Sequence, residues 1–412
     1  MGGAAAASAS ILTFGRAIPQ TMSGSPATYA AGQDLIFESQ TGLDGFAEAV
    51  VVQVSMQVTP TITSPNKMAY SPLRSFFQRM TLSQGGTTFR DTHPFFYSLR
   101  RAMMRRNRQL NYIGPSGQDF SQPTFTGNEY AASSLALSAL PALATATQVT
   151  VRYSYIIPLR WLRNSTMGMF PVGDSSTPLR LQLFTPTNLV GSDPEANPFL
   201  IHPGSTDTVA LANATVTAIL WYRVPLSYAG GTVPTPKIGT QLVHARQQVA
   251  FTGTGVDIPV THKNLYPHTM FFSIVEDGNA DPNSTQSSTN NGLGLMPVTN
   301  LTRWRYRLTE TDPVVDLDTS DKLLAHFAGW RQQLGIDLPD GIFPYAPILG
   351  EVSGVGEYVE PDLELLYQFP NFKTWQNTQT IANVANGTTL NGAAAGLARI
   401  TELSEYLVGV PY

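Results

Sequence analysis

Six histidines, no cysteine and a thin set of acids bound the chemistry open to this chain of 412 residues. His93, His202, His244, His262, His268 and His326 contain no HExxH and no pair at i, i+4, the spacing that aims two imidazoles at one zinc ion from a helix face. They read as isolated surface or core histidines. Without cysteine there is no thiol nucleophile, no disulfide framework and no Cys-ligated zinc. Asp91-Thr92-His93 and the acids Glu351, Glu357, Glu360, Asp362 and Glu364 are the places where paired carboxylates could do glycosidase chemistry. The simpler reading makes Asp91 a helix cap and sets the acids on a solvated strand or loop. Gly253-Thr254-Gly255 lacks the continuation of a phosphate loop or dinucleotide fingerprint. No catalytic motif survives, so the expectation is a protein that is not an enzyme and uses no metal or cofactor.

Two basic features stand out against a formal net charge of −4. Arg100, Arg101, Arg105, Arg106 and Arg108 crowd one short stretch, and Arg303, Arg305 and Arg307 alternate along another. Each has a plain reading, a solvated face balanced by acidic neighbours. Each also has a functional one, contact with something anionic: lipid headgroups, nucleic acid, or an acidic patch on a neighbouring subunit. The overall charge argues against a nucleic-acid footprint spread over the whole surface. Asn-x-Ser/Thr sequons at Asn164, Asn213, Asn283, Asn300 and Asn386 arise readily by chance in a chain this rich in Asn, Ser and Thr.

The elements that must position these residues are mostly strands. Only 13% of residues are charged while Gly (34) and Pro (30) abound, a balance suited to short strands joined by turns. Val50, Val52, Val54, Met56 and Val58 alternate with Gln53, Ser55, Gln57 and Thr59; Val149 to Ile157 and Ala214 to Val224 alternate in the same way. Leu179, Leu181 and Leu183, residues 243–251, 270–275, 342–345, 356–359, 363–369 and 398–408 complete the predicted strands. One unit occurs twice. A strand over 75–82, a Gly85-Gly86 turn and a helix from about Thr92 to Arg108 are matched by a strand over 301–308, a polar connection and a helix from Thr319-Ser320 to Leu334. The first helix sets Phe96, Leu99 and Met103 on one stripe with the arginines opposite, and the second sets Leu323, Phe327, Trp330 and Leu334 on its own, with Ser320 as N-cap.

Residues 1–20 read as an N-terminal arm with Ile11, Leu12, Phe14 and Arg16 as its contact-making side chains. The opening segment fits a signal peptide poorly, and no apolar run reaches the roughly 20 residues a membrane span needs. A Pro/Gly-rich segment over 229–239 marks a boundary, giving expected domains at 21–233 and 234–412. Each holds about eight strands with one late helix. The expected fold is therefore all-β: two consecutive eight-stranded antiparallel jelly rolls, each with an inserted helix.

The order of segments carries a resemblance. Gly45-Phe46 leading into Val50–Thr59, Phe77-Gln78-Arg79-Met80 with the turn and helix behind it, Val149–Leu159, Ala214–Tyr228, Phe271–Gly278 and the helix 320–334 followed by Asp340-Gly341-Ile342-Phe343-Pro344 together resemble the double jelly-roll major capsid proteins of tectivirus-like, internal-membrane phages, the lineage of the adenovirus hexon. The resemblance implies a structural role in the virion: a homotrimer whose six jelly rolls form a pseudo-hexagonal capsomer of an icosahedral shell. It implies contacts with neighbouring capsomers and with minor capsid and penton proteins, an internal lipid membrane beneath the shell with the arm on the inner side, assembly in the host cytoplasm, and no specific nucleic-acid recognition. A surface or secreted carbohydrate-binding β-sandwich, presenting loops 111–146 or 279–294 to glycans in the manner of an adhesin or lectin, is the alternative.

Overall fold

The computed structural model describes residues 13–14, 18–43, 45–70, 76–92, 124–126, 130–131, 142–159, 170–172, 177–193, 196–202, 204–227, 238–261, 268–278, 294–307, 313–326, 341–345, 379–390 and 396–411. Sixteen of its strands build two sandwiches. In the first half these are β1 (Ile18–Thr21), β2 (Asp34–Glu38), β3 (Phe46–Thr61), β4 (Arg79–Gln84), β5 (Thr87–Thr92), β6 (Val149–Pro158), β7 (Arg180–Phe184) and β8 (Thr208–Arg223). In the second half they are β9 (Ile238–Ala250), β10 (Asp257–Thr261), β11 (His268–Glu276), β12 (Leu301–Arg307), β13 (Pro313–Leu317), β14 (Ile342–Tyr345), β15 (Gln379–Val384) and β16 (Arg399–Pro411).

The two halves share one topology. The first has a sheet ordered β1-β8-β3-β6 facing one ordered β2-β7-β4-β5; the second has β9-β16-β11-β14 facing β10-β15-β12-β13, so that adding eight to each label converts one half into the other. Every pairing among these strands is antiparallel, and no sheet mixes strands from both halves. Two facing antiparallel sheets in this order, with short strands added to β1-β8-β3-β6 in the first half and most neighbours drawn from distant sequence, are the jelly-roll solution to burying one face of each sheet. A smaller sheet of Ala142–Leu143, Met68–Tyr70, Phe199–Ile201 and Val190–Gly191 packs against the first core through Met68, Leu143, Phe199 and Ile201.

Period-two burial explains why these segments are strands. Val50, Val52, Val54, Met56 and Val58 of β3 point inward together with Val216, Ala218 and Leu220 of β8, and meet Leu35, Phe37, Met80, Leu82, Leu181 and Leu183 from the facing sheet. Tyr29, between β1 and β2, lies edge-on to Phe76 and Phe77 at 5.9 Å from each and donates its hydroxyl to the Phe76 carbonyl at 2.8 Å; burial pushes its phenol well above the usual range. In the second half the core is Trp304 and Tyr306 of β12, Val275, Phe343, Ala382, Val384 and Ile400, with Trp304 stacked on Phe343 at 5.4 Å.

In both copies of the repeated unit a second strand follows the turn and makes a hairpin. Where the sequence suggested a turn leading into a helix, Gly85 and Gly86, both at positive φ, turn the chain into β5, and the polar connection of the second copy is β13. Asp91 accordingly lies in a strand and is not a helix cap. The second helix begins at 320 and is described to 326; Thr319 Oγ1 caps it by accepting the Lys322 amide at 3.3 Å, one residue earlier than the Ser320 cap expected, and Leu323 is buried beneath it. The helix expected over 92–108 and the strands expected at 356–359 and 363–369 lie outside the described residues.

Part of the region read as an arm belongs to the first sandwich. Ile18–Thr21 pairs along β8 from Ile219 to Tyr222, and Thr13–Phe14 pairs with Pro225–Ser227.

Candidate functional site

Two arginines of the row on β12 are paired with acids within the second half. Trp304 and Tyr306 point into the core, so Arg303 and Arg305 share the outward face of the sheet. Arg303 grips Asp316 of β13 with Nε and Nη2, the Nε bond at 2.7 Å, and Arg305 reaches across β15 to Asp257, which also accepts from Asn383 Nδ2 at 3.0 Å. Hydrogen bonding from Arg303 holds the Asp316 carboxyl below the usual carboxylate range. Burial pushes Asp257 upward, but the bonds from Asn383 and Arg305 outweigh it and leave this carboxyl low as well. Arg303 and Arg305 are thus balanced by acidic neighbours, as the plain reading has it, although Arg305 is itself buried.

The first half repeats this clamp. Arg79 of β4 donates Nε and Nη2 to Asp91 of β5 at 2.7 and 2.6 Å, and lies over the Phe184 ring. In both hairpins the arginine stands two residues before the position paired with the aspartate, Thr81↔Asp91 in one and Arg305↔Asp316 in the other. Equal register and equal bidentate geometry make this a pinned copy of one hairpin in each sandwich.

A charged seam joins the halves. The outward face of β16 carries Arg399, Thr401 and Leu403, and beside it on β11 stand Ile274 and Glu276; Leu403 and Ile274, with Ile342 and Leu295, pack into the hydrophobic cluster of the first half. Arg399 Nε donates to Glu276 at 2.9 Å while its Nη2 reaches Asp193, on the loop between β7 and β8, at 3.2 Å. Arg399 and Glu276 are both buried. Strand β5 lies along β9 at the same boundary.

On the opposite face of β16, Glu402 points into the second core, accepting from Ser273 Oγ at 2.5 Å. Burial, only partly offset by the bonds from Ser273 and Thr380, pushes its carboxyl up to about 8. At neutral pH it is a neutral acid. Sequence reasoning read 398–408 as the closing strand and missed both Arg399 and Glu402. The signal available was a strand with charged residues at both parities, which a sheet open to water on one face does not require.

The remaining sequence candidates fall as follows. Arg100, Arg101, Arg105, Arg106 and Arg108, the acids from Glu351 to Glu364, and Ile11, Leu12 and Arg16 lie outside the described residues, and Phe14 lies in the short strand that pairs with Pro225–Ser227. The His326 ring lies tilted against Trp304, with centroids 5.7 Å apart. Gly253-Thr254-Gly255 forms the β9–β10 turn, with Thr254 Oγ1 accepting the Gly387 amide. Among the described residues no group of three or more His, Asp or Glu is placed to hold a metal ion, and no helix is long and apolar enough to cross a membrane.

No protein-family model matches the sequence, and no curated protein matches it. Solved structures do match its shape. The STIV MCP, from Sulfolobus turreted icosahedral virus, superposes with a TM-score of 0.56 at 12% identity, over 96% of this chain and 97% of that one. A chain of the PBCV-1 virus capsid superposes at 0.55 and 10% identity over 97% and 95%, and PBCV-1 VP54 at 0.54 and 11% over the same shares. The chain has the double jelly-roll fold. The double jelly roll here spans both halves at once, as it does in these capsid proteins, and the pinned hairpins are its internal signature.

Proposed function

We propose that this double jelly-roll chain is a structural major capsid protein that associates with itself into trimeric, pseudo-hexagonal capsomers of an icosahedral viral shell. The observation that carries this is the end-to-end correspondence with viral capsid proteins: two jelly rolls in tandem, with 96% of this chain and 97% of the STIV MCP accounted for. A glycan-binding domain would need only one sandwich and open loops. A capsomer of three chains needs two similar sandwiches so that six near-equivalent units close a ring. The same coverage favours the capsid reading over the adhesin-like one, and we assign the chain no reaction and no cofactor.

The finer parts of the reading are these. Of the arm read over 1–20, the part before strand β1 is the inner-side arm, with Ile11, Leu12, Phe14 and Arg16 as contacts; the first jelly roll runs from β1 to 233 and the second over 234–412. Neighbouring capsomers, minor capsid and penton proteins are its partners in the virion, assembly is in the host cytoplasm, and specific nucleic-acid recognition is not part of the role. Arg100, Arg101, Arg105, Arg106 and Arg108 are the candidate contact with an anionic surface, the internal lipid membrane of a bacteriophage being the case proposed. Arg101→Glu with Arg105→Glu tests that contact: the trimer stays intact and yield of closed particles falls. Unchanged particle yield returns these arginines to a solvated face. For the function itself, electron microscopy of the expressed protein tests the proposal through the presence of three-fold particles with six-lobed outline.

A further inference from the structure

We infer that the buried carboxyl of Glu402 works as a pH-sensitive latch between the two halves, releasing the second sandwich from the first in mildly alkaline solution while the first stays folded. The device belongs to the chain itself and does not depend on the capsid reading; in a shell it supplies a trigger for disassembly.

Two strands carry both parts of the device. Inward, Glu402 of β16 accepts from Ser273 Oγ of β11 at 2.5 Å and bonds to Thr380 of β15 on the facing sheet, so one carboxyl ties the two sheets of the second sandwich together. Glu402, Ser273 and Thr380 are all buried. Outward, the same β16 and β11 carry the seam: Arg399 is held between Glu276 and Asp193, and Leu403 and Ile274 pack into the first-half core. Successive residues of a strand point to opposite faces, so a shift that draws Glu402 out of its core also moves Arg399 and Leu403 at the seam.

Among the described residues no fixed positive charge faces Glu402. Beside it in the sheet stand Gln247 of β9 and Ser273, and beside Thr380 stands Tyr306 of β12. His326, on the helix that begins at 320, lies against Trp304. Tyr306 and His326 are titratable, but the described side chains that β9, β10, β11, β12, β14 and β15 turn inward include no Lys, Arg, Asp or Glu. A carboxylate in such a core is costly, and the fold meets that cost by keeping the proton or by letting water in. Below the ordinary 4.5 the closed and opened forms both hold the proton; between 4.5 and about 8 only the closed form does, so each rise in pH favours opening, and closure is weakest above about 8.

The first half has no counterpart. Its strand β8 buries Ala214, Val216, Ala218 and Leu220. Its buried acid, Asp207, is raised by burial but brought low overall by bonds from Thr63, Ser205 and Asn66, so rising pH leaves it ionised and unchanged. The alkaline effect therefore falls on one sandwich, and a part of a fold that opens at less cost than the whole does so separately.

Hydrogen exchange read by mass spectrometry tests this, on the native chain and on Glu402→Gln at matched pH values spanning 4.5 and about 8. Matching the pH cancels intrinsic exchange rates. Native exchange is expected to outrun the variant in β11, in β16 and in the peptide around Asn197, whose amide donates to the Asp193 carbonyl at 2.8 Å. The factor rises with pH toward a limiting slope of about tenfold per unit, while β3 and β8 exchange equally in both chains. Equal exchange of the two chains at every pH overturns the latch. An equal gain in β3 and β8 overturns separate release, because the whole chain then opens at once, and a gain in β11 and β16 without one around Asn197 overturns the coupling to the seam. Should Glu402→Gln fail to fold, the native chain decides alone: the ratio of exchange in β16 to exchange in β8 is expected to rise with pH, and a constant ratio contradicts the proposal.

Discussion

Glu402 gives this fold a pH dependence that can be worked out in sign and size. Its carboxyl is pushed from an ordinary 4.5 to about 8 in the folded chain, with burial the leading cause. Between those values the folded state holds a proton that the unfolded state releases. Stability from this group is therefore full below pH 4.5, falls as pH rises, and levels off above about 8. The slope in that window is close to tenfold in the folding equilibrium per pH unit, and the total about 5 kcal/mol. Glu402→Gln keeps a neutral side chain of the same shape beside Ser273 Oγ and removes the ionisation. Urea unfolding of both chains at pH 5, 6, 7, 8 and 9 isolates the effect. The low carboxyls Asp257, Asp316 and Asp207 lose their contribution only as pH falls through their depressed values, below this window, and contribute equally to both proteins. The expected result is a variant of similar stability at pH 5 and a growing advantage over the native chain toward pH 8. Parallel stability profiles from pH 5 to 9 refute the placement of a protonated acid in this core.

Further predictions concern packing and the seam. Arg399→Met leaves buried Glu276 without its Nε donor and destabilises by roughly 3 kcal/mol or more in denaturant titration, with partial recovery when Glu276→Gln is added. Trp304→Ala removes the ring stacked on Phe343 and costs about 3–5 kcal/mol in the same assay. Gly341→Ala sets a Cβ 2.8 Å from the Met296 carbonyl oxygen at φ +87, and lowers stability by about 2 kcal/mol or more, read as a fall in thermal midpoint. Arg79→Ala breaks a bidentate pair that is half exposed on both sides, and changes stability by under about 1 kcal/mol despite its good geometry.

The strands β3, β6 and β8 were legible because each is long, alternates strictly and has one face on a core; Val50 to Val58 alone fixes which face is buried. The short strands β5 and β13 were not. Thr87-Thr88-Phe89-Arg90-Asp91-Thr92 is polar and runs straight into His93-Pro94, so helix-start chemistry masked a strand stabilised only by its hairpin partner. The repeat itself was visible as an order of elements, but its tightest feature, the arginine clamp, needs the cross-strand register. The seam was out of reach for a plainer reason: Arg399 finds its partners 123 and 206 residues away, and no local pattern names them. Glu402 is intermediate, since a glutamate between Ile400 and Leu403 breaks alternation, yet only the facing Ser273 shows that the acid is inside.

The central claim, a chain built to associate in threes through near-equivalent sandwiches, is tested most directly by the mass of the purified protein in solution. Light scattering at micromolar concentration is predicted to give three times the 44.6 kDa chain mass. A stable species of 44.6 kDa at that concentration contradicts it.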